Sequence, residues 1–238
     1  MLRYSRQQRG LGLVELMVSL TIGLFLLVGL LAYLARALST TSSTYQNSRI
    51  SQELNAVMEL MARDIRRAGY SSTAYNATTP ALAAANAFTQ SAVAGANDGG
   101  INLATAGCIL YSYDMPGTAN GTRDSGELLG FKLQDGAVYT ASNGSGSGCN
   151  ANGWQPITDP KVTEITTLTF QYLDASDNVA SPQKPFVSAS GSGWSLCTRN
   201  IRVTVSGRLV SDPTIAIRSH SQDVRVRNDW YNATGTSC

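Results

Sequence analysis

The chain opens with a long apolar run and then becomes polar. Between Leu11 and Leu38 only Glu15 and Arg36 carry charge. About 28 residues form roughly 42 Å of α-helix, which is longer than a hydrocarbon layer of about 30 Å. The pattern therefore predicts a membrane-spanning helix over this segment.

A second helical pattern follows without a break. The run STTSSTYQNSR after Leu38 contains no Pro or Gly, so the helix can continue through it. Apolar residues then recur at spacings of three and four along one face. They are Ile50, Leu54, Val57, Met61, Ile65 and Ala68. Arg66 and Arg67 followed by Gly69 are typical of a helix end, so we predict one helix over 12–68. A coiled-coil seam is the rival interpretation, but the repeat is short and the flanking charges are irregular.

The C-terminal part alternates as strands do. Asp135-Gly136 between two apolar runs predicts a hairpin, because both turn positions need positive φ. Residues 162–174 predict a half-buried strand whose inward positions include Ile165 or Thr166. Further alternation at 201–210 and 223–228 brings the prediction to four to six antiparallel strands. Glycine- and serine-rich runs at 143–148 and 188–193 are typical of mobile loops. The fold class is therefore α+β.

Charge changes this picture mainly at the N-terminus. The formal net charge is +2, from 18 basic and 16 acidic residues. Arg3, Arg6 and Arg9 precede the apolar run with no acid among them. The positive-inside rule therefore places residues 1–10 in the cytoplasm and the remainder outside. Because no basic stripe follows, we expect no nucleic-acid contact.

Glu15 is the anomaly in the apolar run. A carboxylate inside a membrane costs about 2.5–3.5 kcal/mol on insertion scales, so it indicates a function. A secretory signal would have a shorter apolar core with a small-residue cleavage site after it, whereas here Gly10 precedes the run. If the chain is cut after Gly10, Glu15 lies in the first turns of a new helix, whose dipole and free amine favour negative charge. Its best partner is then the amino terminus of an adjoining subunit.

Gly10, Glu15 and the run LGLVELMVSLTIGLFLLVGLL together closely resemble the prepilin cleavage and methylation site of type IV pilins and type II secretion pseudopilins. The resemblance implies that a membrane aspartic peptidase cuts after Gly10 and methylates the new amine of Leu11. Leu11 stands where Phe or Met is more usual, and Ala32 stands where many major pilins have Pro. Without that Pro we expect less kinking of the helix, as suits a minor subunit.

A second resemblance is carried by MELMARDIRRAGY and by the late strand ending in VRVRN. Both are similar to the PilW family of type IV pilus minor pilins, which is related to the minor pseudopilin J of type II secretion. The resemblance implies a pilin fold, with a long helix under an antiparallel sheet. Its segments are a leader at 1–10, a transmembrane or filament-core helix at 11–38, an amphipathic continuation at 39–69, a variable loop region at 70–106 and a head domain at 107–238.

The function implied is structural. We expect a minor pilin that is processed by the prepilin peptidase and helps to initiate or cap a type IV pilus. Its partners are then other minor pilins and the major pilin through helix packing, the peptidase that is also the methyltransferase, and the inner-membrane assembly platform. We expect a single-pass inner-membrane protein with a periplasmic C-terminal domain, later assembled into the pilus, with the tip as one position. A type II secretion pseudopilin and a membrane-anchored binding module are the alternatives.

The four cysteines all lie beyond the apolar run, in a part that we expect to be exported. They are Cys108, Cys149, Cys197 and Cys238. An even count outside the cytoplasm predicts two disulfides, and four cysteines permit three pairings. We favour the pairs 108 with 149 and 197 with 238. Buried free thiols or a metal site are the alternatives, although no CxxC spacing supports a metal.

Catalytic and metal-binding patterns are weak in this sequence. His220 is the only histidine, and no nucleophile motif surrounds it. The acidic runs at 124–127 and 174–178 contain calcium-type ligands but do not match the EF-hand spacing. We therefore predict no enzyme activity, no cofactor and no metal site.

Overall fold

The computed structural model describes the chain at residues 12–73, 86–89, 100–103, 106–141, 148–181, 183–211, 216–232 and 238. Contacts divide it into two compact units, Met1–Ser48 and Arg49–Cys238. A long N-terminal helix precedes an antiparallel β domain, which confirms the α+β prediction. Most of the predicted variable loop region at 70–106 lies outside the described residues.

Helix α1 spans Leu13–Ile65, close to the predicted 12–68. It contains no Pro, and it passes Ala32 without a break. Glycine ends the turn that follows: Gly69 has φ +78°, the left-handed conformation predicted for it.

Between Leu13 and Leu38 the helix is apolar and most of its side chains are exposed. Its serine and threonine hydroxyl groups bond to the helix itself: the Ser19 hydroxyl donates to the Glu15 carbonyl at 2.7 Å, and the Thr21 hydroxyl donates to the Val18 carbonyl at 2.8 Å. These bonds lower the cost of placing the hydroxyl groups in lipid.

The described part of the second unit contains eleven strands, more than the four to six predicted. Those at 101–102, 155–156 and 230–232 are too short to produce a periodic pattern. The strands are β1 Ile101–Asn102, β2 Cys108–Ser112, β3 Leu128–Gln134, β4 Ala137–Ala141, β5 Gln155–Pro156, β6 Thr163–Leu173, β7 Phe186–Gly191, β8 Trp194–Thr198, β9 Asn200–Leu209, β10 Arg218–Arg225 and β11 Trp230–Asn232.

The first sheet has the strand order β1-β2-β3-β4-β5. The predicted hairpin joins β3 to β4, with Asp135 at φ 49° and Gly136 at φ 74°. Strand β2 is buried along its whole length because both faces are covered. Cys108 and Leu110 pack on one side, beside Cys149 and Trp154.

The second sheet has the order β10-β9-β6; it contains the predicted strands at 162–174 and 201–210, whereas the third predicted strand, 223–228, is correct only for its first three residues, because β10 ends at Arg225. The sequence left open whether Ile165 or Thr166 points inward. A β-bulge between Ile165 and Thr167 shifts the register there and explains this ambiguity. Ile165 is buried and Thr166 is exposed. After the bulge the alternation resumes at Leu168.

The third sheet has the order β11-β8-β7. The prediction of a mobile loop at 188–193 is wrong, because residues 188–191 belong to β7 and pair with β8. Their small side chains give no strand signal, and pairing with β8 decides their conformation. The other predicted loop, 143–148, lies outside the described residues except for Gly148.

One core joins the second half of α1 to the first two sheets. The predicted apolar face of the helix is buried from Ile50 to Ala68. Sheet residues complete the cluster, including Tyr111, Phe131 and Val203. The rival coiled-coil interpretation is unnecessary, because the head domain covers this face.

Two disulfide bonds cross-link the head domain. Cys108 bonds to Cys149 and Cys197 bonds to Cys238, which are the pairs that the sequence favours. Each closes a sequence separation of 41 residues. The first holds the segment that carries Trp154 over the outer face of the first sheet, and the second ties the last residue to β8.

Candidate assembly and processing site

The predicted processing residues Gly10 and Leu11 lie outside the described residues. Glu15 is described, and it lies in the first turn of α1. The Glu15 and Leu16 amides donate to the Gly12 carbonyl at 3.0 and 3.2 Å, so the helix starts close to the predicted new N-terminus.

Glu15 is exposed, and no ion pair involving it is found among the described residues. The free amide groups at a helix start carry partial positive charge, which stabilises a carboxylate in this turn. The carboxylate is therefore free to meet a cation from another molecule.

The helix around Glu15 presents an exposed apolar surface. Leu13 is 77% and Phe25 81% exposed, and most large side chains up to Leu38 are exposed by about half or more. Among the described residues this is the one helix long and apolar enough to cross a membrane, judged by length and composition. The helix and the methylation motif reported below fit membrane anchoring.

The distal end of α1 is bound by the segment that follows β10. The Arg227 amide donates to the Arg66 carbonyl at 3.0 Å. The Asn228 side chain donates to the Arg67 and Ala68 carbonyls at 3.4 and 3.2 Å. These bonds satisfy carbonyl groups that a helix end leaves without partners. The stretch MELMARDIRRAGY and the stretch ending in VRVRN therefore meet at this contact.

Arg199, between β8 and β9, is fully buried at the same helix end. Its guanidinium donates to the Asn228 carbonyl and packs against Gly69. Burial lowers the Arg199 pKa to about 10, although Tyr172 and Asp229 act in the opposite direction, so the group keeps its charge at neutral pH. A β-carbon at Gly69 would lie 2.7 Å from a guanidinium nitrogen, and this position therefore requires glycine.

Two buried carboxylates organise the loop between β2 and β3. Asp114 accepts bonds from the Ser72 hydroxyl at 2.6 Å and from the Ser72 and Gly121 amides at 2.9 and 3.0 Å. Glu127 accepts bonds from the Met115 and Asp124 amides at 2.9 and 2.8 Å. Burial raises the Asp114 pKa, but the hydrogen bonds from Ser72, Gly121 and Asn120 outweigh it, and the pKa is lower than usual.

Sequence reasoning missed Arg199 and Asp114, and it considered Glu127 only as part of a calcium-type acidic run. A buried polar side chain interrupts the apolar alternation of a strand. The sequence alone does not distinguish it from an exposed polar side chain. The turn residues Pro116 and Gly117 after Asp114 are the one local sign of a loop that needs side-chain acceptors.

In both calcium-type acidic runs a carboxylate accepts hydrogen bonds from backbone amides of the protein itself. Glu127 binds backbone amides, as described above, and Asp174 accepts from the Ser176 and Asn178 amides at 2.8 and 3.0 Å. No cluster of three or more metal-ligating side chains occurs in the described ranges. His220 lies within β10, opposite Val205 of β9.

Two sequence families match the chain. The family of prepilin peptidase-dependent protein B matches residues 43–226, and the prokaryotic N-terminal methylation motif matches residues 5–31. Comparison with curated proteins and with solved structures finds no match. The first family covers the stretch MELMARDIRRAGY and the second stretch as far as Val226, and the motif covers Gly10, Leu11 and Glu15. Because the first match spans well over half of the sequence, the chain belongs to the prepilin peptidase-dependent protein B family, a pilin-like family, and carries the methylation motif at its N-terminus.

Proposed function

We propose that the chain is a minor pilin, cut by the prepilin peptidase between Gly10 and Leu11, methylated on Leu11 and assembled into a type IV pilus. The observation that supports this most directly is Glu15, an exposed carboxylate in the first turn of an exposed apolar helix. A charge in this place needs a cationic partner once the helix lies in lipid or in a filament core.

The mechanism is packing of parallel helices. The carboxylate of Glu15 binds the amino terminus of a neighbouring subunit, and this pair sets the axial register. Apolar side chains around it, such as Leu13 and Phe25, supply the rest of the contact. The head lies in the periplasm, because the three N-terminal arginines hold the leader in the cytoplasm.

Within this class we propose a PilW-type subunit that helps to initiate or cap the filament, together with other minor pilins and the inner-membrane assembly platform. The support is the pair of stretches that meet at the helix end through Arg227 and Asn228. The role is structural and not enzymatic. The alternative is a minor pseudopilin of type II secretion, in which loss of the protein would stop protein export and leave pilus-dependent motility intact.

The maturation step is tested by mass spectrometry of the N-terminus. We expect a methylated Leu11 in cells that contain the peptidase and an intact leader in cells that lack it. An unprocessed N-terminus in the presence of the peptidase would support a membrane-anchored binding module instead.

The assembly step is tested with Glu15→Ala, with Ser19→Ala as a matched control one turn further along the helix. We expect both variants to be cleaved, and only Glu15→Ala to be lost from sheared filaments. Normal incorporation of Glu15→Ala would overturn the assembly role of the carboxylate.

A further inference from the structure

Strand β7 is an open edge of the third sheet. It pairs with β8 on one side, and no pairing on its other side occurs among the described strands. Residues 187–190 are all exposed. An edge of this kind presents a row of backbone N–H and C=O groups with which another extended chain can pair.

The β7 edge, defined as Phe186–Gly191, differs from the other long edges in charge. Strand β10 carries Arg218, Asp223 and Arg225, and β6 carries Glu164, whereas the β7 edge carries no charged side chain. Charged edge residues are a common defence against unwanted pairing. The β7 edge lacks this defence.

An apolar surface adjoins the β7 edge on the outer face of the sheet. Trp194, Leu196 and Tyr231 share this face by register, and Ala189 lies opposite Leu196. The rings of Trp194 and Tyr231 stack with centroids 5.7 Å apart. All three large side chains are partly exposed, so an added strand could continue their packing with every second side chain.

The sheet beneath is held firmly. On the inner face Ser195 and Cys197 are fully buried, and the disulfide joins Cys197 to Cys238. A bulge after Val187 is fixed by the Ser188 hydroxyl, which donates to the Leu196 carbonyl at 3.0 Å. A preformed edge loses little entropy when a partner strand is added.

We propose that the β7 edge binds an extended, sparsely charged segment of a neighbouring pilin-like subunit, which adds to the third sheet as a further strand. This inference rests on the proposed function, since parallel helices in a filament bring different faces of adjacent heads together. Backbone hydrogen bonds supply the affinity, and alternate apolar side chains of the partner pack beside Ala189, on the face that Leu196 shares.

The experiment uses the full chain in the bacterium that produces it, with the photocrosslinking residue benzoylphenylalanine at Ala189. After irradiation, membranes and sheared filaments are analysed separately, and the crosslinked peptides are sequenced by mass spectrometry. We expect one adduct, mapped to an extended segment of another pilin-like subunit. We also expect Val187→Lys to reduce the adduct at least tenfold, because it places a charge on the edge.

Thr167→Lys is the matched control, since Thr167 is also an exposed residue of an edge strand but lies on β6. It should leave the adduct unchanged. Absence of an adduct, an adduct that survives Val187→Lys, or an adduct to a glycan would each overturn the inference. Leu11 methylation and the presence of the chain in filaments are measured in the same samples. Failure of the proposed function is thus seen separately, because an adduct formed in membranes tests the β7 edge alone.

Discussion

Asp114 illustrates how one side chain can organise a loop. The carboxylate has no exposed surface, yet it accepts bonds from four donors on Ser72, Asn120 and Gly121. It therefore connects the chain just after α1 to the loop between β2 and β3. Hydrogen bonds to a charged acceptor contribute about 1.5–3 kcal/mol each, so this single residue matters for the stability of the head.

Asp114→Asn should destabilise the protein and remove part of its acid sensitivity. The Asp114 pKa is lowered in the folded state, so the stabilisation is present above the unfolded value of about 3.9 and is lost as the pH falls through the folded value. We expect a loss of about 2–3 kcal/mol at pH 7 and a smaller loss at pH 3, which lies below the unfolded value. Urea unfolding of both proteins in detergent at the two pH values measures this, and equal losses at both would contradict it.

At the scale of elements, the end of α1 is held by contacts that are distant in sequence. Arg199 reaches it from the β8–β9 connection, and residues 226–228 reach it from the end of β10. The helix end is therefore a junction of three segments. The family match at 43–226 covers the end of α1, Arg199 and Val226, and it ends just before Arg227.

Arg199→Ala tests this junction. We expect a loss of about 3–5 kcal/mol in the free energy of unfolding, because the change empties a fully buried site and removes a donor to the Asn228 carbonyl. The control is Arg208→Ala, whose ion pair with Glu164 at 2.7 Å has both side chains about 40% exposed. That variant should lose less than about 1 kcal/mol. Similar losses in the two variants would refute a special role for Arg199.

Elements that depend on local sequence could be predicted, and those that depend on pairing could not. Helix α1 and the Asp135-Gly136 hairpin follow from short-range spacing and from backbone conformation. Strand β7 does not, because serine, alanine and glycine have little strand preference and its partner β8 decides its conformation. The residues of the candidate site also differ in how predictable they are. Glu15 can be identified from the sequence because it is a charge in an apolar run, whereas Arg199 can be identified only once its burial is known.

At the scale of the whole molecule, α1 serves two environments with one continuous helix. Its first part is exposed and apolar, as a membrane or a filament core requires. Its second part and the turn that follows supply eight residues to the core of the head, namely Ile50, Leu54, Val57, Met58, Met61, Ala62 and Ile65 from the helix and Ala68 from the turn. The boundary between the two compact units lies just before the first of these, at Ser48.

This division predicts that a chain of residues 49–238 folds without detergent, whereas residues 70–238 do not fold. The shorter chain lacks all eight of these core residues. Six of them are large, and burying a large apolar side chain contributes about 1.5–3 kcal/mol. The loss of about 9–18 kcal/mol is therefore comparable to the total stability of an ordinary domain, about 5–15 kcal/mol. Both chains should be produced in an oxidising compartment, because the two disulfides must form. Circular dichroism should give a cooperative thermal transition for the longer chain and none for the shorter one. A cooperative transition in the shorter chain would mean that the sheets hold the head together without the helix.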